Sequence, residues 1–197
     1  VIESARRGDI YTPPSTQGTI LYPFTGGGVN WGGLAFDAGR EVAFVNTSSA
    51  MHLVTLIPSD QVEARKKSEL EMEISPQTRA PFGMRREALL GPFGLPCNKP
   101  PWGQLHAVDM RTGQVLWEVP LGTTRDLAPG SQLVMRGTGT PNFGGPIATG
   151  SGLVFIGAAM AWNRLDEGKT WIMRGKDYLS VAVLPDDRPE TLELFRQ

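Results

Sequence analysis

The 197-residue chain is poor in the side chains that build metal and redox centres, with one cysteine, Cys97, and two histidines, His52 and His106. A single thiol excludes an intrachain disulfide and a cysteine-based zinc cluster, and two imidazoles exclude a histidine-rich metal site. Charge of one sign is lacking too. The 19 basic and 20 acidic residues leave a net charge of −1, which creates no field to gather nucleic acid or an anionic membrane surface. Apolar runs stop at strand length, as in residues 152–160, so no segment reads as a helix that crosses a bilayer. The first residues carry neither an initiator Met nor the apolar core of a signal peptide, and the expectation is a chain entered midway.

Glycine and proline are plentiful, 24 and 16 residues, while a hydrophobic fraction of 40% suffices for a core. That composition predicts an all-β fold of short strands joined by Gly/Pro turns. The densest glycine stretch is Gly26-Gly27-Gly28-Val29-Asn30-Trp31-Gly32-Gly33, running into Leu34-Ala35-Phe36-Asp37. Glycines so close together let backbone approach another group, and here they lead into a strand and its partner at residues 41–47. About 110 residues later a second unit of the same make-up follows, Gly144-Gly145 with strands at 146–149 and 153–157. Between them, residues 104–119 read as two strands joined by an Asp109-x-x-x-Gly113 turn, and repeated hairpins of this kind point to propeller blades.

Two segments break the pattern. Residues 59–75 are charged and helix-compatible, with few apolar side chains beyond Leu70, Met72 and Ile74, and read as a surface insertion. Residues 76–101 are rich in Pro and Gly and read as an ordered loop that covers a core or a site. Cys97 within it is expected to be a buried small apolar group. His52, on a strand from 51 to 57, and His106, at a strand start, are expected to be structural. Asp186 and Asp187 read as an exposed end, and no carboxylate pair stands out as an acid/base dyad.

Ala107-Val108-Asp109 through Gly113 to Trp117 resembles the tryptophan-docking motif of quinoprotein propellers, where an indole fills a gap between blades and its one N–H finds a partner. Tyr11-Thr12-Pro13-Pro14, Gln17-Gly18-Thr19, Asn30-Trp31-Gly32-Gly33, Gly91-Pro92-Phe93-Gly94-Leu95-Pro96-Cys97, Pro101-Trp102-Gly103 and Gly144-Gly145-Pro146-Ile147 extend the likeness. Together they resemble the C-terminal part of the membrane-bound pyrroloquinoline quinone (PQQ) dehydrogenases of the glucose and quinate type. The resemblance implies a partial segment, roughly three blades, of an eight-bladed β-propeller. It further implies PQQ with a divalent metal, Ca²⁺ or Mg²⁺, a sugar or polyol substrate, electron transfer to ubiquinone, and a place on the periplasmic side of the bacterial inner membrane. Within the glycine loop it implies Asn30 as a hydrogen-bond donor to PQQ and Trp31 as an apolar wall; read from residue types alone, the same two are a turn residue and a blade-packing aromatic.

The likeness runs from about Tyr11 to Met160 and returns near Asp177-Tyr178 and Leu184-Pro185-Asp186-Asp187. Beyond Met160 the spacing from Asp166 to Trp171 is five residues where Asp109 to Trp117 is eight, so residues 161–197 are expected to be a shortened, divergent end of the segment spanning 1–197. The metal ligands and the catalytic base of such enzymes have no counterpart here. The expectation is therefore one wall of a PQQ pocket, inactive alone, completed by remaining blades or prone to self-association. The alternatives are a propeller scaffold that presents loops to a protein partner, or a degenerate fragment without activity.

Overall fold

The computed structural model describes residues 2–69, 72–91, 94–122, 137–157, 163–166, 169–172 and 179–183. Among the described residues the chain shows antiparallel strands with one short α-helix, and it divides into two compact units.

The first unit comprises Val1–Thr25, Ala50–Asn98 and Trp162–Met173. Its sheet contains β1 (Thr19–Leu21), β4 (His52–Pro58), β5 (Glu73–Ser75) and β6 (Phe82–Ala88) in the order β1-β4-β6-β5. Strand β4 is the apolar one, His-Leu-Val-Thr-Leu-Ile-Pro, and buries Leu53, Val54 and Ile57. Strand β6 corrects the reading of residues 76–101 as a loop. Its sequence, Phe-Gly-Met-Arg-Arg-Glu-Ala, has none of the apolar alternation of a half-buried strand, yet it pairs along its full length with β4. Its charges are matched by neighbours: Arg85 meets Glu69 at 2.7 Å and Glu87 at 2.9 Å, and Arg86 Nε donates to Glu73 at 2.9 Å.

Within residues 59–75 the helix is confined to α1 (Val62–Ser68), preceded by a 3₁₀ turn at Ser59–Gln61 and followed by β5. Val62 is the anchor that the charged pattern concealed. It is buried with Ile57 and Ile74 in a small cluster, with Met72 packed against it. Gly83 on β6 makes this possible, because a Cβ there would run into Val62 Cγ2 and stand 3.0 Å from the Ser75 carbonyl. Near the end of the chain β11 (Asn163–Asp166) pairs with β12 (Lys169–Ile172), with Asp166 opposite Lys169, so the short Asp166 to Trp171 spacing belongs to a hairpin.

The second unit comprises Gly26–Ser49, Lys99–Ala161 and Arg174–Gln197. Strands β2 (Leu34–Asp37), β3 (Val42–Ser48), β7 (Gly103–Asp109) and β8 (Val115–Pro120) form an up-and-down antiparallel sheet, β2-β3-β7-β8, of the kind that makes a propeller blade. A second sheet, β13-β10-β9, is made of β9 (Pro146–Ala148), β10 (Leu153–Gly157) and β13 (Leu179–Val183). Strand β7 alternates with period two, burying Gly103, Leu105, Ala107 and Asp109 on one face. Leu105 and Ala107 join Val42, Phe44 and Leu121 from the same unit, and Val154 and Ile156 of β10 complete the core. Full burial of side chains such as Phe44 and Leu105 contributes about 2 kcal/mol each. Trp117 lies opposite Ala107 and packs its ring 6.0 Å from that of Phe44.

Both hairpin turns of the β2-β3-β7-β8 sheet use an aspartate as their staple. Asp37 Oδ1 accepts from the Gly39 and Arg40 backbone, and Asp109 Oδ1 accepts from the Arg111 and Thr112 backbone. Each carboxylate also meets an arginine of its own turn, Arg40 at 2.9 Å and Arg111 at 3.1 Å, and these bonds hold both acids below the usual carboxylate range. Expectations placed on Met160, Asp177-Tyr178 and 184–187 lie outside the described residues.

Candidate functional site

The glycine loop is an organised structure. Gly28 and Ser48 exchange both backbone hydrogen bonds, at 2.9 and 3.0 Å, which moors the loop to the end of β3. Asn30 braces it from within: Nδ2 donates to the Gly26 carbonyl at 2.7 Å, and Oδ1 accepts the Trp31 N–H at 2.7 Å. The Gly33 N–H donates to the Asn30 carbonyl at 3.0 Å and closes a turn with Trp31 at its corner. The indole there is 84% exposed, whereas Trp102 is 2% exposed. An amide carries two donor hydrogens, so Asn30 keeps one after satisfying Gly26.

The two Gly-Gly motifs read as repeats meet within this unit. A Cβ on Gly32 would stand 2.7 Å from the Gly145 nitrogen and 2.7 Å from the Phe143 carbonyl, and one on Gly145 would run into the Gly32 carbonyl. Their density in the sequence therefore has a packing cause, since two backbones touch where a side chain cannot fit. Behind them is a set of buried polar groups that sequence reasoning missed. Asn46 Nδ2 donates to Asn142 Oδ1 at 2.5 Å, Ser48 Oγ donates to the Asn142 carbonyl at 3.1 Å, and the Asn142 N–H donates to Ser48 Oγ at 3.0 Å. Asn142 is wholly buried, and Asn46 and Ser48 nearly so. In sequence, Pro141-Asn142-Phe143 looks like any turn residue trio, and nothing marks it.

The histidines are held by partners. In the second unit, His106 lies between Thr47, whose Oγ1 is 2.8 Å from Nε2, and Glu118, whose Oε2 is 3.5 Å from Nδ1. Burial lowers its pKa, and Glu118 opposes that. In the first unit, Thr25 Oγ1 accepts from Arg86 at 2.7 Å and lies in hydrogen-bond contact with His52 Nδ1 at 3.1 Å. Phe24 packs edge-on at 4.7 Å. Burial, then the nearby Arg86 charge, pushes the His52 pKa from 6.5 to about 4, against a smaller raising effect of Glu73. Cys97 corrects its expected burial: it is exposed, on the wall of a cleft of about 470 Å³ with Ile2, Glu3 and residues 87–90. The turn that carries it is tied by backbone bonds, Cys97 N–H to the Leu89 carbonyl and Gly91 N–H to the Leu95 carbonyl.

Among the described residues no group of three or more His, Cys, Asp or Glu side chains is disposed to hold a metal, and no helix is long and apolar enough to cross a membrane. A flat, multiply anionic quinone such as PQQ asks for a ring to lie against and N–H groups to meet its oxygens. The exposed Trp31 plane, the remaining Asn30 donor hydrogen and the open space at Gly33, where a Cβ would find no atom within 4 Å, fit one side of such a group.

Comparison with known proteins agrees with the motifs. The family model described as PQQ glucose/ethanol/alcohol dehydrogenase, beta-propeller domain, matches residues 1–165. The chain is similar to a quinoprotein glucose dehydrogenase of Escherichia coli (strain K12), 37% identical over 175 residues, covering 82% of this chain and 22% of that protein. It is 36% identical over 173 residues to quinoprotein glucose dehydrogenase A of Acinetobacter calcoaceticus, covering 84% of this chain and 22% of the relative. With a quinate/shikimate dehydrogenase (quinone) of Acinetobacter baylyi it shares 35% identity over 185 residues, 87% of this chain and 23% of the relative. The chain thus spans less than a quarter of the length of these relatives. With the family model covering its two blade-forming hairpins and the glycine loop, the chain belongs to the PQQ-dependent glucose/ethanol/alcohol dehydrogenase β-propeller family.

Proposed function

We propose that this chain forms one wall of the PQQ pocket of a sugar or polyol dehydrogenase of the glucose or quinate type, working at the periplasmic face of the bacterial inner membrane and passing electrons to ubiquinone. The observation that carries the reading is Trp31: an indole 84% exposed at the corner of a loop otherwise fixed by its own hydrogen bonds. An unsupported tryptophan in water is a costly place to leave a large apolar surface, and a planar ligand covers it. Asn30 donates its second amide hydrogen to a quinone or carboxylate oxygen of the cofactor, while its first holds the loop closed through Gly26.

When bound, PQQ supplies the two-electron acceptor for oxidation of the substrate alcohol. The chain's own share would be to bind and orient: Trp31 would shield the bound group from water and Asn30 would hold it by a hydrogen bond. The divalent metal, Ca²⁺ or Mg²⁺, and the base that takes the hydroxyl proton belong to parts of the pocket outside these residues. The chain alone, given PQQ and either metal, is therefore inactive toward sugars and polyols in a dye-linked assay.

The test uses the polypeptide encoded by the whole reading frame, assayed in membranes for PQQ-dependent reduction of a ubiquinone analogue by glucose, quinate and glycerol. Trp31→Ala is expected to raise the PQQ concentration needed for half-maximal rate about tenfold, the equivalent of one lost stacking contact. A rate that does not require PQQ, or a PQQ requirement unchanged by Trp31→Ala, would overturn the reading.

A further inference from the structure

We infer that Ser48, with Asn142, positions the Trp31 loop: the two residues clamp the two Gly-Gly segments to each other and so set where the cofactor-facing indole stands. The inference rests on the PQQ-wall reading for its consequence, though the clamp itself is read from geometry. Ser48 is used at both ends. Its backbone N–H and C=O pair with Gly28, the first anchor of the glycine loop, while its hydroxyl bonds to both the N–H and the C=O of Asn142. One residue at the end of β3 thereby holds two segments that are distant in sequence, the loop carrying Trp31 and the run leading to Gly144-Gly145.

The remaining contacts leave little play. Asn46, two residues earlier on the same face of β3, donates to Asn142 Oδ1, and Asn142 Nδ2 reaches the Thr140 carbonyl at 3.5 Å. Past Asn142 the chain meets Gly32 backbone to backbone at Gly145, one residue from Trp31. The path from Ser48 to Trp31 thus has two arms. One runs through Gly28 and the Asn30 brace, the other through Asn142, Gly145 and Gly32. With Ser48, Asn142 and Asn46 buried, no water is at hand to replace a missing partner, so loss of the hydroxyl leaves the Asn142 N–H unsatisfied and frees the second segment to shift.

Ser48 touches neither the indole nor any group proposed to meet the cofactor, which makes it a positioning residue. The experiment labels the chain with 5-fluorotryptophan and assigns the Trp31 ¹⁹F resonance by its disappearance in Trp31→Phe; Ser48→Ala is then compared with Val154→Ala, a core truncation in the same unit. The expected result is a shifted or broadened Trp31 resonance in Ser48→Ala and an unmoved one in Val154→Ala. Half-saturation by PQQ should rise about tenfold in Ser48→Ala alone, the scale of one buried hydrogen bond. Asn46→Ala, which removes only the side-chain bond to Asn142, gives a smaller change of the same sign and serves if Ser48→Ala does not fold. An unmoved Trp31 resonance in both Ser48→Ala and Asn46→Ala, or an equal change in Val154→Ala, overturns the inference. A moved resonance in a chain that takes up no PQQ supports the clamp and overturns the pocket-wall reading instead.

Discussion

Gly32 and Gly33 are neighbours of the same type with different physical reasons for it. At Gly32 the constraint is space, since a Cβ would press on Gly145 N and Phe143 O at 2.7 Å; at Gly33 it is backbone angle alone, with φ +71° and open space around. Gly32→Ala is expected to cost about 3 kcal/mol because backbone on both sides must move. Gly33→Ala, strained but unobstructed, is expected to cost about 1 kcal/mol. Urea denaturation of the two variants checks the ordering, and equal costs would mean the two glycine segments do not touch. His52 makes a separate prediction. Its folded pKa of about 4 lies below the ordinary 6.5, so the unfolded chain binds the proton first and stability falls as pH drops from 6.5 toward 4, with no further loss from this group below that. His52→Gln should flatten that part of the stability profile. A profile unchanged by the substitution would show that the Thr25, Arg86 and Phe24 surroundings do not hold the ring neutral.

At the scale of elements, α1 has seven residues, too short to be stable by itself, and depends on Val62 reaching the cluster of Ile57 and Ile74 over the gap left by Gly83. Val62→Ala should destabilise the first unit by about 2 kcal/mol, while Lys66→Ala on the same helix should stay within about 0.5 kcal/mol. Hydrogen exchange across residues 59–75 would register the difference, and similar protection in both variants would contradict the anchor. Where hydrophobic period and turn chemistry agree, as in β2 to β3 with its Asp37 staple or β7 to β8 with Asp109, the elements are legible in the sequence itself. Strand β6 is not, because it is held by ladders to β4 and β5 on both sides and by ion pairs to Glu69 after α1, to Glu73 on β5 and within the strand to Glu87, and Arg-Arg-Glu shows none of this in a linear reading. The site divides in the same way. Asn30 and Trp31 stand out through an unusual glycine loop and its likeness to a family, whereas Ser48, Asn46 and Asn142 act only through a contact between segments far apart in the chain.

At the scale of the whole molecule, the sequence covers 22–23% of its glucose and quinate dehydrogenase relatives, and its second unit displays apolar side chains that a complete propeller has reason to cover. Leu34 and Phe36 on the edge strand β2 and Ile147 on β9 are each more than half exposed. An edge strand with outward apolar residues invites pairing, so the isolated chain is expected to self-associate, and Leu34→Lys with Phe36→Lys to reduce it. Sedimentation velocity over a range of concentrations decides this, and a monomer at every concentration would contradict it. Contact between the Trp31 face and PQQ can be followed by titrating the chain with PQQ and Ca²⁺ while recording tryptophan fluorescence, with Trp31→Phe in parallel. Saturable quenching that is largely lost in Trp31→Phe is the expected result; no saturable quenching, or the same quenching in both proteins, would rule out that contact.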